Sequence, residues 1–294
     1  MASASDMNFG DMLDAVGEML GPEDLALAHG TRRTYWPDFT ARSNRLARNL
    51  REMGIETGDK AGFYLRNQPE YTEALAACFK GRFTHVNVNY RYLADELFYI
   101  FDNSDAAVVF FDAQFTDQVE LVRGRLPKLT AWVQIGGGDV PDWAVDYDCL
   151  AADGDPSPLG IDRSPEDLFF LYTGGTTGIP KLAQHTHGNE VYNAWATTQL
   201  AGLEGKTLFC GLPFFHVNAV ILTGLTPFAS GGTTILGSPA GYRGEGILDN
   251  FWKIVDRYKV NFFSGVPTVY ANLLNKPLEE SDVSSLEGCI CGAA

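Results

Sequence analysis

The sequence predicts an α/β protein with parallel-rich sheets covered by helices, and three observations carry that expectation. Helical and strand patterns take turns from residue 36 to residue 135. The runs Phe63-Tyr64-Leu65 and Val108-Val109-Phe110-Phe111 are apolar enough to be buried on both faces, as strands of a parallel sheet are. A chain of 294 residues, 45% of them hydrophobic, can also fill a sizeable core.

The elements follow in order. MASASDMNFGDMLDAVGEML mixes acids among its apolar residues, which is the pattern of an amphipathic helix and not of a secretory leader. Arg32 and Arg33 read as part of a solvated hairpin turn. Pro37 is placed to open a helix whose face carries Phe39, Leu46, Leu50 and Met53, and Gly54 stops it. Four strands then alternate with helices: AGFYLRN, then PEYTEALAACFKG and THVNVN, RYLADELFYIFDNSD and AAVVFFD, FTDQVELVRGRLPKL and TAWVQIGG. Residues 136–167 shift to Gly, Pro and Asp and read as a connection that Trp143 and Tyr147 pin to the body. After it come the strand DLFFLYT, a Gly/Thr-rich loop, a strand from Lys181 to Gln184, and a helix with Thr186 as its N-cap. The rest alternates again through TLFCGLP, an apolar helix, TTILG, a helix around ILDNFWKIVDRY, VNFFSGV, a helix after Pro267 and GCICGAA. The expected organisation is one domain over 9–294, divided into a first α/β part at 9–135, the connection at 136–167, and a second part at 168–294. A strand followed only by Gly-Ala-Ala lacks the crossover helix a parallel sheet calls for, so the pattern reads as a domain incomplete at its carboxyl end.

Charge and composition narrow the function. Lys and Arg total 22 against 37 Asp and Glu, and the net charge of −15 argues against nucleic acid or anionic lipid as a partner. The same charge repels anionic ligands at long range, so a phosphate would need a local cation and backbone N–H groups. The apolar run from Val217 to Ala229 is interrupted and too short to cross a bilayer. Five irregularly spaced cysteines suggest reduced thiols in a cytoplasm, without disulfides.

YTGGTTGIPK, residues 172–181, directly follows the apolar run Leu168-Phe169-Phe170-Leu171. Glycines let backbone N–H groups turn toward a ligand, threonine hydroxyls add donors, and a lysine neutralises charge, which together suit a phosphate cradle. A nucleotide-triphosphatase P-loop would need G-x-x-x-x-G-K followed by Ser or Thr, but here Pro180 precedes Lys181 and Leu182 follows it. The dinucleotide fingerprint G-x-G-x-x-G is also missing. The bland reading is a surface loop.

The order of these residues resembles the phosphate loop of the AMP-forming adenylating enzymes: acyl-CoA synthetases, luciferases and the adenylation domains of peptide synthetases. Two further stretches agree with that family in order and character, LPFFHVN at 212–218 and SGVPTVY at 264–270 followed by CGAA. Leu182 departs from the family's usual glycine. The resemblance runs from about Phe9 to the last residue and implies the large amino-terminal domain of the acyl-adenylate-forming fold. The family's tyrosine-glycine-x-threonine-glutamate segment, its threonine-glycine-aspartate and its small carboxy-terminal domain are not in this sequence, so the resemblance implies a truncated enzyme, inactive as written.

The resemblance implies an acid–thiol ligase. A carboxylate, fatty or otherwise apolar, attacks the α-phosphate of Mg2+-bound ATP, pyrophosphate leaves, and the thiol of coenzyme A then displaces AMP. Thr173, Gly174, Gly175, Thr176, Thr177 and Gly178 would cradle phosphates with Lys181 adding charge. His216 would position the acyl group and the incoming thiol. Val266 and Pro267 would line the acid pocket, and Gly292 and Ala293 would bring backbone close to adenine. No protein nucleophile is needed, and neither a G-x-S-x-G elbow nor H-E-x-x-H is present. Two rivals stand beside this reading: a non-catalytic module that keeps a nucleotide or acyl site, and an adenylating enzyme that loads a carrier protein. On the residues alone, His185-x-His187 reads as a strand end meeting a helix start in preference to a metal site, and Cys289-x-Cys291 as two buried thiols on one strand face.

Overall fold

A computed structural model describes residues 4–174 and 180–292. The amino-terminal helix is α1 (Phe9–Met19), with Phe9, Met12 and Leu13 buried. A hairpin follows, β1 (Leu25–His29) and β2 (Arg32–Tyr35), whose two strands the pattern did not disclose. Arg32 and Arg33, expected in its turn, instead begin β2, because Gly30 supplies the left-handed φ of +58° at the bend. Arg33 is not simply solvated: its guanidinium lies 4.7 Å from the Tyr258 ring centroid and donates to that hydroxyl at 2.7 Å.

Pro37 lies in the first turn of α2 (Trp36–Glu52), whose Phe39, Leu46 and Leu50 are buried as the spacing requires. The expected alternation then appears as β3 (Lys60–Tyr64), α3 (Pro69–Gly81), β4 (Thr84–Asn87), α4 (Ala94–Asn103), β5 (Ala106–Asp112), α5 (Thr116–Arg123) and β6 (Ala131–Ile135). The connection holds a short strand β7 (Val145–Asp146) and a short helix α6 (Tyr147–Ala152). Both aromatic pins are in place: Trp143 stacks on Phe111 with centroids 5.7 Å apart, and buried Tyr147 donates its hydroxyl to Glu73 at 2.9 Å.

Beyond the connection lie β8 (Leu168–Thr173), β9 (Lys181–Thr186) and α7 (His187–Ala201). Thr186 Oγ1 accepts the Asn189 amide at 3.2 Å, which is the capping role expected of it. The remainder comprises β10 (Thr207–Cys210), a π-helical stretch Asn218–Leu225 that runs into α8 (Thr226–Ala229), β11 (Thr233–Leu236), α9 (Phe251–Tyr258), β12 (Phe262–Gly265), α10 (Pro267–Leu273) and β13 (Gly288–Cys291).

The chain forms two compact units. One comprises Thr40–Arg66 and Glu70–Val191 with the amino-terminal stretch to Asp14; the other comprises Ala15–Phe39, Asn67–Pro69 and the chain from Tyr192 onward. The first holds a seven-stranded sheet in the order β7-β6-β5-β3-β4-β8-β9, parallel throughout except for the final β8–β9 pair. Its β5 and β6 are buried along their whole length, as their unbroken apolar runs require. The second holds a six-stranded sheet in the order β13-β12-β10-β11-β1-β2, with only the β1–β2 pair antiparallel. Phe209, Tyr242, Phe251, Val255 and Phe263 form much of its core.

The boundary expected at residue 168 does not separate the sheets. β8 pairs with β4 through Val86 and Phe170, which draws residues 168–186 into the first sheet, while β1 pairs with β11, Leu27 opposite Thr234. Such pairings join residues far apart in sequence and leave no mark on local composition. The two thiols of β13 also depart from expectation. Cys289 and Cys291 are exposed because β13 is the edge strand of its sheet.

Candidate functional site

In the first unit the Gly/Thr stretch is the connection of the β8–β9 hairpin. Leu168 pairs with Thr186, and the register runs without a break to Thr173 opposite Lys181, so both residues stand at the open end of the hairpin. The Thr173 hydroxyl donates to the Lys181 carbonyl at 3.4 Å, and both residues are exposed. A Cβ built on Gly174 would meet no atom of the described residues within 4 Å. Gly175, Thr176, Thr177 and Gly178 lie outside the described residues.

The base of this connection is held from two sides. β4 and β8 share the pair Val86 and Phe170, after which a side chain takes over from the main-chain ladder. Asn87, 3% exposed, accepts the Tyr172 amide at 2.5 Å and donates to the Tyr172 carbonyl at 3.2 Å. From α4, Asn103 Oδ1 accepts the Tyr172 hydroxyl at 2.6 Å, and Tyr99 donates its hydroxyl to the Pro180 carbonyl at 3.2 Å. Burial pushes the Tyr172 phenol well above its ordinary range, so it stays protonated as a donor. Sequence reading missed Asn87, Tyr99 and Asn103; the one signal was Asn87 standing between two valines in THVNVN.

In the second unit the implicated residues gather at the carboxyl ends of parallel strands, where open α/β sheets bind ligands. His216 follows β10 through Gly211-Leu212-Pro213-Phe214-Phe215. It is exposed, and its ring centroid lies 4.3 Å from that of Phe215. Its amide donates to the Pro213 carbonyl at 2.9 Å, and its own carbonyl accepts the Ala219 and Val220 amides, so it stands where a turn passes into the π-helical stretch. Asn67 braces this segment, donating to the Leu212 carbonyl at 2.8 Å and accepting the Phe214 amide at 2.9 Å.

Val266 and Pro267 lie directly after β12, Val266 partly buried and Pro267 exposed at the first position of α10. Buried Ser264, two residues earlier, donates to Asn218 Oδ1 at 2.9 Å, and the Tyr242 hydroxyl donates to the Ser264 carbonyl at 2.8 Å. Gly292 follows β13, and its amide donates to the Gly265 carbonyl at 3.1 Å. A Cβ on Gly292 would fall 3.0 Å from Asn218 Nδ2, which makes this a position of close backbone approach. Ala293 lies outside the described residues. Thus Asn218 is bonded to the end of β12 through Ser264 and lies close to Gly292 at the end of β13, a relationship that HVN in the sequence did not betray.

His185 and His187 do not converge. His185 Nδ1 lies 2.5 Å from Glu190, while buried His187 accepts the Phe9 amide on Nδ1 at 3.3 Å and packs edge-on against Phe79. Burial holds the His187 imidazole down at about 4, hence neutral near pH 7. Among the described residues no helix is long and apolar enough to cross a membrane.

Residues 19–294 match the family model described as AMP-binding enzyme. The 3-oxocholest-4-en-26-oate–CoA ligase of Rhodococcus rhodochrous is 33% identical over 299 residues, covering 94% of this chain and 52% of that protein. A medium/long-chain-fatty-acid–CoA and 3-oxocholest-4-en-26-oate–CoA ligase of Mycobacterium marinum is 29% identical over 270 residues, covering 83% of this chain and 48% of that one. The chain therefore spans about half the length of the curated relatives it matches. ATP-bound MatB from Rhodopseudomonas palustris has the same fold, with a TM-score of 0.83 at 23% identity over 98% of this chain and 55% of that one.

Proposed function

The chain belongs to the AMP-binding enzyme family, and on that premise we propose that its protein is an acid–thiol ligase that activates a fatty or other apolar carboxylic acid with ATP and passes it to coenzyme A. In the first step a carboxylate oxygen bonds to the α-phosphorus as the bond to the pyrophosphate oxygen breaks. In the second the thiol sulfur bonds to the acyl carbon as AMP leaves. Both nucleophiles belong to substrates, so the protein's part is positioning and charge stabilisation.

The observation that carries this reading is the hairpin: a GGTTGIP stretch flanked by Thr173 and Lys181, which are held opposite each other. Thr173, Gly174, Gly175, Thr176, Thr177 and Gly178 are proposed to cradle the phosphates of Mg-ATP, with Lys181 supplying positive charge; the magnesium ion is taken to arrive with the nucleotide. His216 is proposed to position the acyl and thiol groups, Val266 and Pro267 to line the acid pocket, and Gly292 and Ala293 to face adenine. The named substrates of the relatives, a steroid acid and fatty acids, support an apolar acid. Five free cysteines accord with a cytoplasmic location.

The test is acid-dependent exchange of pyrophosphate into ATP, followed by thioester formation, on the protein that contains this chain. Exchange that depends on a fatty or steroid acid supports the ligase. ATP binding with no exchange for any acid would sink it in favour of a nucleotide-binding module, and transfer to a carrier protein but not to coenzyme A would reassign the acceptor.

A further inference from the structure

On the ligase reading, which this inference presupposes, we propose that the Asn218 side chain donates to the acyl oxygen of the substrate, the one that stays on carbon when the acid becomes an acyl-adenylate. Asn218 opens the π-helical stretch two residues beyond His216. Its Oδ1 is already engaged: buried Ser264 donates to it at 2.9 Å, and the Ser264 carbonyl on β12 accepts the Tyr242 hydroxyl at 2.8 Å. With one end of the carboxamide held, the other is aimed. Nδ2, which carries two N–H donors, lies 3.0 Å from the place a Cβ on Gly292 would take at the end of β13. Asn218 is partly exposed, and no acceptor among the described residues bonds its Nδ2. Glycine at 292 leaves that donor uncovered, since any side chain there would begin within hydrogen-bond distance of it.

The neighbours of Nδ2 define what meets it. His216, two residues before Asn218, and Val266, two residues after Ser264, are the positions proposed to address the acyl group, and Gly292 is the one proposed to face adenine. Between an acyl chain and adenosine lies the acyl phosphate. Its phosphate oxygens carry charge and call for a cation, whereas its carbonyl oxygen is matched by a neutral amide donor. In the first step one carboxylate oxygen bonds to phosphorus, and the other remains as this carbonyl. In the second the thiol sulfur adds to the acyl carbon and its proton leaves to solvent. Negative charge gathers on the acyl oxygen and returns to carbon as the bond to AMP breaks. A donor already aimed at that oxygen serves binding in the first step and charge stabilisation in the second.

The experiment uses the protein that contains this chain and two ligands, a fatty acyl-AMP and the alkyl-AMP of the same chain length, which lacks only the acyl oxygen. Their affinities are measured by calorimetry without pyrophosphate or thiol, so that neither ligand is consumed. The unaltered protein should favour acyl-AMP by about fivefold, the worth of one hydrogen bond. Asn218→Ala should bring the ratio of the two affinities to about one. Asn218→Asp, which keeps the acceptor for Ser264 and replaces the donor, should bring it to one or below. Ser264→Ala frees the carboxamide without removing it, and its ratio should lie between. Reading a ratio separates this contact from a general loss of packing, which would weaken both ligands alike. A ratio unchanged in both Asn218 variants would overturn the proposal, and so would equal weakening of both ligands, the mark of a structural link or a phosphate contact. If the unaltered protein binds both ligands equally, the proposal falls while the ligase reading stands. If it binds neither, both fall.

Discussion

Asn87, the last residue of β4, binds both main-chain groups of Tyr172, accepting its amide and donating to its carbonyl, and so its side chain extends the lateral bonding past the Val86–Phe170 pair. That side chain ties the end of β8 to β4, which one main-chain pair otherwise joins. Replacing Asn87 with Val would leave the Tyr172 amide and carbonyl buried without that partner. The expected cost is about 2 to 6 kcal/mol, at about 1–3 kcal/mol for each stranded group. Urea denaturation measures it, and a loss under about 0.5 kcal/mol, the range of neutral surface changes, would contradict the assignment.

Asn67 plays the matching part in the second unit by bonding Leu212 and Phe214 on the way to His216. Asn67→Leu should speed amide exchange at Phe214 and His216 at least tenfold. Asn67→Asp keeps the acceptor for the Phe214 amide and loses the donor to Leu212, so it should fall between. Exchange at Phe214 equal in all three proteins would show that the brace does not hold the segment.

His187 gives the first unit a titration. Its folded-state value of about 4 lies below the ordinary 6.5, because burial opposes the charged ring. Between those values the unfolded chain binds a proton that the folded chain does not, so stability present above pH 6.5 is lost as pH falls toward 4. His187→Asn can keep an acceptor for the Phe9 amide and removes the proton. Its urea midpoint should therefore decline less steeply over that window than the parent's, by a difference on the order of 3 kcal/mol across it. Parallel pH profiles would refute this.

Lys80 acts at the opposite end of the scale. Burial lowers its ammonium to about 8 from 10.5, even though Asp14, 3.2 Å away, raises it and Asn44 accepts from it at 2.8 Å. Below pH 8 the buried charge is a standing cost; from about 8 to 10.5 the unfolded chain holds the extra proton, and stability should rise with pH. Lys80→Met should abolish that rise relative to the parent, a difference of a few kcal/mol at most. Denaturation midpoints at pH 7.5, about 9 and about 10 would decide, and an unchanged rise in the variant would count against it.

Much of the fold could be read locally. Phe63 to Leu65 and Val108 to Phe111 announce buried parallel strands, Pro37 and Gly54 bracket a helix, and Thr186 caps one. A hairpin turn was legible near Arg32-Arg33, but its strands within Leu25–Tyr35 escaped because they are short, and Arg33 looks like solvated chain whereas it is satisfied by Tyr258 on a helix distant in sequence. The location of the division between sheets also escaped, since it depends on Phe170 finding Val86 and Leu27 finding Thr234. At the site, residue order singled out Lys181 and His216. The residues that brace them, Asn67, Asn87, Tyr99 and Asn103, lie in other elements and act only through contacts that spacing does not encode.

Calorimetric titration of Mg-ATP into the chain and into its Lys181→Ala variant bears most directly on the phosphate-binding role of the β8–β9 connection. Loss of a charged contact worth about 1.5 to 3 kcal/mol should weaken binding by roughly ten- to a hundredfold. Equal affinity in the two proteins, or no binding heat from the unaltered chain, would contradict that role.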